Sequence, residues 1–409
     1  MKTVIHRRDT MKHTRKNSNF ILTIILTGIV CLTAISCDMG EDTSINTWEK
    51  EHTIDRPTRD TRAVFETTDG RFICISKDTP DLNILCTDEN GDELWRHTLS
   101  NQDDTYYTVT YSMVEISGGF LVIAAQADES VSRITLDSNG AMIQEENVVI
   151  AGITDIRGLD ATETGWVIAA NTSAGIPATY TYKGFSATGE ILWDAGSALN
   201  EELNGFSAIK ATSDGGAIIV GNRYTGTGDD NPGHIIKLDA NGQMAWSTDV
   251  RAYDILPVVT HDKYRSIYET PDGGCLYTAH YGISEEHYFG SYIAKISSKG
   301  NVTTRVLFTD YYANSARPTA DKGIILAGFV SSYNLPSIDV IIDGMYIQKL
   351  NALYTSQWRR EIPSEAPFDR FGAYDVAETA DGGFISICGS RHSEPFWLRK
   401  VNNKGRLNP

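Results

Sequence analysis

An all-β chain, folded as a seven-bladed β-propeller of four-stranded antiparallel blades, is what this 409-residue sequence predicts, and three observations carry the prediction. The first is a Gly-rich turn between short apolar runs that recurs seven times: ETTDG at 66–70, EISGG at 115–119, TETGW at 162–166, TSDGG at 212–216, TPDGG at 270–274, TADKG at 319–323 and TADGG at 379–383. The second is their spacing: aligned at Asp69, Ser117, Thr164, Asp214, Asp272, Asp321 and Asp381, the turns lie 48, 47, 50, 58, 49 and 60 residues apart. Each interval holds four strands of about 5–6 residues with their turns. A repeat of this size marks units that cannot bury their own apolar faces and must stack on neighbours. The third observation is that no helical period of useful length follows Cys37.

Residues 1–36 read as a signal peptide. Lys12, Arg15 and Lys16 form a basic start, and the apolar run from Phe20 to Ile35 is too short for a membrane span. Ala34, Ile35 and Ser36 before Cys37 resemble the lipobox of bacterial lipoproteins, which implies a lipidated Cys37 and an acidic tether over 37–43. A plain secretory signal that leaves Cys37 unmodified is the alternative. Asp38, Glu41 and Asp42 resemble the acidic export signal of surface lipoproteins of Bacteroidetes. That resemblance implies an outer-membrane protein facing outward, with a periplasm-facing orientation as the other possibility.

The formal charge is −17, and residues 1–36 remove six basic and one acidic residue, so the remainder stands near −22. Like charges repel, and no counterions would be released on nucleic acid or anionic headgroups, so neither is an expected partner. The membrane is reached through lipid on Cys37.

The single propeller domain is placed at 44–409. Its parts are clearest in the fourth unit: FSAIKAT as the inner strand, a turn at Ser213 to Gly216, AIIVGNR, a loop, HIIKLDA, a turn at Asn241 and Gly242, then MAWSTDV. Alternation of β-branched and apolar residues with Asn-Gly or Gly-Gly punctuation is hairpin chemistry. Trp95, Trp193, Trp246 and Trp358 follow the second turn of their units. The seventh unit supplies only FGAYDVAET, GGFISICGS and WLRKVNN, because 404–409 is too short for a fourth strand. SINTWEKEHT at 44–53 places Trp48 in the missing setting, so the N-terminal segment is expected to complete the last blade and close the ring. Cys74, Cys275 and Cys388 lie in apolar strand patterns as small hydrophobes. Cys74 and Cys86 could face each other across a hairpin as one disulfide.

The recurrent Trp after an x-x-G turn resembles the tryptophan-docking repeat of PQQ-type quinoprotein propellers and of the outer-membrane assembly lipoprotein that shares their fold. The seven-fold count and T-x-D-G-G turns resemble lipid-anchored propellers of Bacteroidetes. Both resemblances imply fold, and fold does not carry function. The Trp rings themselves are expected to pack between blades.

In such a blade, the first-to-second and third-to-fourth turns share one face, here short and stereotyped, while the other connections are long and irregular. Binding is usually built on variable loops over a rigid scaffold. The candidate ligand residues on that face are Tyr224, His234, Tyr281, His287, Tyr288, Tyr333, Asp369, His392 and Phe396, aromatic rings beside polar groups that suit a sugar ring or a protein hot spot. No catalytic residue is assigned: G-x-S-x-G, H-E-x-x-H and a phosphate-binding Gly loop are all missing from the sequence. No metal or cofactor is expected. The D-x-N-G runs at 88–91 and 137–140 lack the later ligands of a calcium loop and read as tight turns. The expected function is a non-catalytic, lipid-anchored envelope protein that binds a glycan or a protein through the long-loop face. An assembly or docking scaffold and a carbohydrate-active hydrolase or lyase are the alternatives.

Overall fold

A computed structural model of the chain describes residues 45–52, 62–78, 81–99, 110–126, 130–172, 179–196, 199, 203, 205–222, 233–250, 261–284, 287–309, 311–334, 339–363, 372–389 and 396–407. Among them every regular element is a strand, apart from one residue of 3₁₀ geometry at Leu199, and they lie in a compact unit spanning Glu41–Pro409. β1 (Trp48–His52) precedes the blades. Blade 1 comprises β2 (Arg62–Glu66), β3 (Phe72–Asp78), β4 (Asp81–Thr87) and β5 (Glu93–Leu99). Blade 2 follows with β6 (Tyr111–Ile116), β7 (Gly119–Ala125), β8 (Ser130–Asp137) and β9 (Met142–Val149). Blade 3 is β10 (Asp155–Thr162), β11 (Gly165–Asn171), β12 (Tyr180–Ser186) and β13 (Ile191–Gly196). Blade 4 is β14 (Gly205–Ala211), β15 (Ala217–Asn222), β16 (Gly233–Leu238) and β17 (Met244–Val250). Blade 5 is β18 (His261–Glu269), β19 (Cys275–Ser284), β20 (His287–Ile296) and β21 (Val302–Thr309). Blade 6 is β22 (Tyr311–Pro318), β23 (Ile324–Asn334), β24 (Asp339–Leu350) and β25 (Ser356–Pro363). Blade 7 has β26 (Gly372–Glu378), β27 (Phe384–Gly389) and β28 (Phe396–Val401), with β1 as its fourth strand.

The ring closes as the sequence predicts. β1 runs antiparallel to β28 from Trp48 opposite Lys400 to His52 opposite Phe396, so the N-terminal strand supplies the outer edge of the last blade.

Burial explains why the blades need one another. The second strands of blades 2 and 3, GFLVIAA and GWVIAAN, are buried at every residue, whereas the outer strand MIQEENVV is exposed nearly throughout. A strand buried on both faces must lie between two layers. Correspondingly, among the described residues, the core is seven apolar clusters, one at each blade interface. In the closing seam, Val64, Phe72 and Leu85 of blade 1 pack against Ile385, Ile387 and Leu398 of blade 7. Cys74 belongs to this seam, but Cys86 lies in the blade 1–2 seam. Cys74 opposes Leu85 and Cys86 opposes Ile73, so the two side chains leave opposite faces of one sheet. The cross-hairpin disulfide is therefore corrected: both thiols are free and buried.

Trp side chains tie the outer strands together. The ring of Trp48 covers Gly91 of blade 1, Trp95 covers Gly140 of blade 2, Trp193 covers Gly242 of blade 4, Trp246 covers Gly300 of blade 5, and Trp358 covers Gly405 of blade 7. The indole N–H groups of Trp48, Trp95 and Trp358 donate to Glu89 O (2.7 Å), Ser138 O (3.3 Å) and Asn403 O (2.7 Å) in the same turns. These three rings thus dock apolar area and satisfy their one polar atom on the next blade. Blade 5 has no Trp, and the matching turn of blade 6 has no Gly. Tyr354 takes its place with φ 61° and packs into that seam.

The turns on this face are stereotyped in their polar bonds as well. Thr67, Thr212, Thr270, Thr319 and Thr379 each donate through Oγ1 to the Asp two residues on, at 2.5–2.6 Å. A Lys at one place in the third strand reaches the same carboxylate: Lys237 to Asp214 (2.8 Å), Lys349 to Asp321 (2.8 Å) and Lys400 to Asp381 (2.7 Å). Burial opposes the charge on these Asp residues, but the Lys and turn donors outweigh it and hold the carboxyls below their usual range. A Glu from the next inner strand clamps the turn backbone: Thr68 N to Glu115 (2.8 Å), Ser213 N to Glu269 (2.8 Å), Ala320 N to Glu378 (2.6 Å) and, across the closure, Ala380 N to Glu66 (2.5 Å). In the other turns Asp88, Asp137 and Asp239 each accept two backbone N–H groups through Oδ1, the tight-turn role expected of the D-x-N-G runs.

A chain beginning at residue 55 lacks β1 and the Trp48 dock. Truncating a packed Trp costs about 3–5 kcal/mol, and loss of a five-pair strand adds to it. Its thermal midpoint is expected at least about 5 °C below that of the full mature chain, and equal midpoints in calorimetry would refute strand exchange. A second comparison isolates the dock. Gly70 and Gly140 both have positive φ, 83° and 78°, but a Cβ at Gly70 meets nothing while one at Gly140 lies 2.5 Å from the Trp95 ring. Gly140→Ala should therefore lower the urea midpoint clearly more than Gly70→Ala, and Trp95→Ala should largely abolish the difference.

Candidate functional site

The inner strands bring a polar network to the ring axis. Asp375 on β26 is buried, and its carboxylate is bonded from blades 1 and 6 and, through Tyr268 Oη at 3.4 Å, from blade 5. Ser315 Oγ donates to it at 2.7 Å, Val64 N at 3.1 Å, and the Arg317 guanidinium forms an ion pair with it. On the other side of the axis Asp160 of β10 accepts from Ser112 Oγ of blade 2 (3.0 Å), from Ala211 N of blade 4 (3.0 Å) and from Lys210 Nζ (3.2 Å). Tyr268 of blade 5 stands between these clusters, with Lys210 Nζ 5.9 Å and the Arg317 guanidinium 4.8 Å from its ring centre. Two carboxylates and two cations therefore balance across blades 1–7. Enclosure opposes the charge on Lys210 and Arg317. Asp160 and Asp375 respectively outweigh it and hold both cations above their ordinary pKa values. Each carboxylate is shared between a cation and N–H or O–H donors.

Five inner strands carry an irregularity at the same place, near the end that faces the long loops: Ile156/Gly158, Phe206/Ala208, Tyr264/Ser266, Ala313/Ser315 and Ala373/Asp375. A bulge there re-aims a side chain. In blade 5 the bulged residue is Arg265, whose Nε donates to His280 Nδ1 at 2.9 Å. A guanidinium is always a donor, so Nδ1 is the unprotonated nitrogen, and Nε2–H donates to Ala313 O of blade 6 at 3.1 Å. The His280 edge meets Tyr312 and Phe329, which stack at 4.8 Å. This seam is a rigid base for what lies above it.

Among the described residues, the middle strands of blades 5 and 6 run longer than those of the other blades. Lys237, Lys295 and Lys349 occupy one register position. The second hairpin of blade 4 reaches back four residues from Lys237 to Gly233, that of blade 5 eight from Lys295 to His287, and that of blade 6 ten from Lys349 to Asp339. At a rise of about 3.3 Å per residue the two adjacent hairpins extend about 13 Å and about 20 Å further on the long-loop side.

The sequence-predicted residues divide accordingly. His287 and Tyr288 lie on the blade 5 hairpin and Tyr333 on the blade 6 hairpin, where Tyr333 opposes Val340. The topology thus places these three on neighbouring projections. Tyr281 is fully buried in the blade 4–5 seam, its hydroxyl donating to Phe308 O at 3.4 Å. His234 is buried at the end of β16 with Nδ1 2.6 Å from Asp249. Phe396 is buried and stacks on His52 of β1. Tyr224, Asp369, His392 and Cys37 lie outside the described residues. Sequence reading missed the axial charges, yet a signal existed. Asp160, Lys210, Tyr268 and Arg317 each stand two residues before the turn Thr, in DAT, KAT, YET and RPT.

No family model matches the sequence, and no curated protein matches it. Among solved structures the chain is similar to a protein of unknown function from Bacteroides caccae, at 12% identity and TM-score 0.37, covering 73% of this chain and 92% of that one. It is also similar to a streptogramin B lyase at 11% identity and TM-score 0.49, covering 87% and 98% of the two chains. A virginiamycin B lyase from Staphylococcus aureus gives 11% identity and TM-score 0.49, covering 87% and 99%. At these values no activity passes from any of them to this chain.

Asp375→Asn removes the charge facing Arg317, whose side chain is 21% exposed, and is expected to cost about 1–3 kcal/mol in urea unfolding. Combined with Arg317→Met, which removes the stranded cation, the loss should be smaller than the sum of the single losses. Strict additivity would show that the pair is not coupled.

Proposed function

We propose that this chain is a non-catalytic binding protein of the cell envelope, held at the outer membrane by lipid on Cys37, that presents the long-loop face of its propeller to a glycan or protein ligand. The observation that carries this reading is the inequality of the two faces. On one, turns, Trp docks, Lys–Asp pairs and Glu clamps repeat from blade to blade, which is what a ring needs in order to stack. On the other, two adjacent hairpins leave the repeat and rise over the His280 seam, carrying His287, Tyr288 and Tyr333. Extra length that the stacking does not require, mounted on a stiff base, is the arrangement of a recognition surface.

The run Ala34-Ile35-Ser36-Cys37 and the acidic residues after it support the lipid anchor and a surface location of the kind found in lipoproteins of Bacteroidetes. The recurrent Trp dock supports the resemblance to tryptophan-docking repeats of PQQ-type propellers in its packing role. A binding role is favoured over chemistry because both axial carboxylates are committed to a cation and to N–H or O–H donors.

The test uses residues 38–409 on a glycan array and, in parallel, crosslinking to envelope proteins. Replacing 283–288 and 332–341 by two-residue turns should leave the thermal midpoint within a few degrees and abolish the captured signal. Undiminished capture by the shortened chain would overturn the assignment of the ligand to this face.

A further inference from the structure

The exposed apolar side chains are not scattered. Among the described residues nine large hydrophobic side chains are exposed, and all but Val149 sit in the third-to-fourth turn or within the first two residues after it. Blades 1–4 contribute Leu94, Met142, Ile143, Ile191, Leu192 and Met244, each at the first or second residue of its outer strand. Leu353 in the blade 6 turn and Leu407 beyond the blade 7 turn continue the series. Single exposed Leu residues are ordinary on any surface. Here they recur in or directly after the third-to-fourth turns, on one face of the ring, at exposures such as 58% for Leu192 and 82% for Leu353.

The chain enters the propeller on that same face. Ile45 is buried against Gly383 in the first turn of blade 7, Asn46 Nδ2 donates to Asn90 Oδ1 at 2.8 Å in the blade 1 turn, and Trp48 docks on Gly91 beside it. Leu94 follows three residues after Gly91. Cys37 precedes Ile45 by only eight residues, a reach of at most about 29 Å even when fully extended. A lipid on Cys37 would therefore hold the constant face, with its apolar rim, close to the bilayer and direct the hairpins of blades 5 and 6 away from it.

We infer that the constant face of the propeller is a membrane-contact surface, in which the rim of exposed Leu, Ile and Met side chains rests in the interfacial zone of a bilayer of zwitterionic headgroups. The inference rests on the lipid-anchor reading above. An apolar rim adds shallow insertion of its own to the anchor. Zwitterionic headgroups are specified because Glu89, Asp92, Glu93 and Glu190 share the rim, and the chain as a whole is acidic, which disfavours an anionic surface.

The test exploits the chemistry of the native thiols. Cys74, Cys86, Cys275 and Cys388 are buried, with Cys86 pushed by burial up to about 11 and Cys275 up to about 12, so a thiol-directed dye would react at an introduced surface Cys. Full chains carrying Leu192→Cys or Thr172→Cys, which lie at opposite ends of blade 3, are labelled with an environment-sensitive fluorophore. They are then anchored in phosphatidylcholine–phosphatidylethanolamine vesicles containing a shallow doxyl quencher. The dye at 192 should shift to the blue and lose most of its emission, while the dye at 172 keeps the spectrum it has in water. The Leu94→Asp/Met244→Asp variant should weaken the quenching at 192 without lowering the thermal midpoint. Mass spectrometry of Cys37 separates the two failures. An unmodified Cys37 overturns the anchor and this inference together, whereas a lipidated Cys37 with the 192 dye still in water overturns this inference alone. Stronger quenching in phosphatidylglycerol vesicles than in zwitterionic ones would overturn the stated headgroup chemistry.

Discussion

Every other feature of this protein depends on one constraint: a blade that buries both faces of its middle strands can exist only between two neighbours. GFLVIAA and GWVIAAN have no solvent face at all, so a lone blade would expose an apolar surface on each side. The chain meets this constraint with seven apolar seams, six between successive blades and one that joins the two ends. β1 does so by adding to β28, and the closing seam has parts found in other seams, including a Trp on a Gly and a Glu on a turn amide. The termini are thus joined by pairing across the sheet without any covalent bond.

That requirement divides the molecule into two unlike faces. Where blades converge on tight turns, the same polar pairs recur: Thr to Asp, Lys to the same Asp, Glu to the next amide. Such turns vary little because each belongs to two blades at once. At the other end of the strands the seams are already complete, and hairpin length is free to vary without disturbing the stacking. Blades 5 and 6 use that freedom, and the interlock of Arg265, His280 and Ala313 stiffens the seam from which they rise. Recognition on one face and membrane apposition on the other are then two consequences of one architecture.

The axis shows how electrostatics enters the same design. Seven inner strands converge there, and small residues alone would leave a polar, water-filled gap. Lys210 and Arg317 are set against Asp160 and Asp375 with Tyr268 between them, so that charges are neutralised locally and their remaining lone pairs meet backbone N–H and Ser hydroxyls. An enclosed ion pair of this kind contributes less to stability than to position, because desolvation offsets much of the attraction. It fixes which blade faces which.

Much was legible before the structure was in hand. Seven Gly turns, the Trp that follows five of the outer turns once Trp48 is counted, and the short final unit determine blade count, strand order and the exchange of the first strand, because these follow from local turn chemistry and from a period of two along strands. The D-x-N-G runs were also readable as turns, since Asn and Asp bond their own backbone. What only the tertiary structure decided concerns residues whose partners lie on another blade. Tyr281, His234 and Phe396 read as surface candidates because loops flank them, yet each lies within a strand and is buried. Cys74 and Cys86 are near in sequence but leave opposite faces of the sheet. Asp160, Lys210, Arg317 and Asp375 are scattered over 216 positions and meet only because the ring brings inner strands to one axis. Periodicity along a strand records which face a residue takes within its own blade; it holds no record of what the neighbouring blade places opposite.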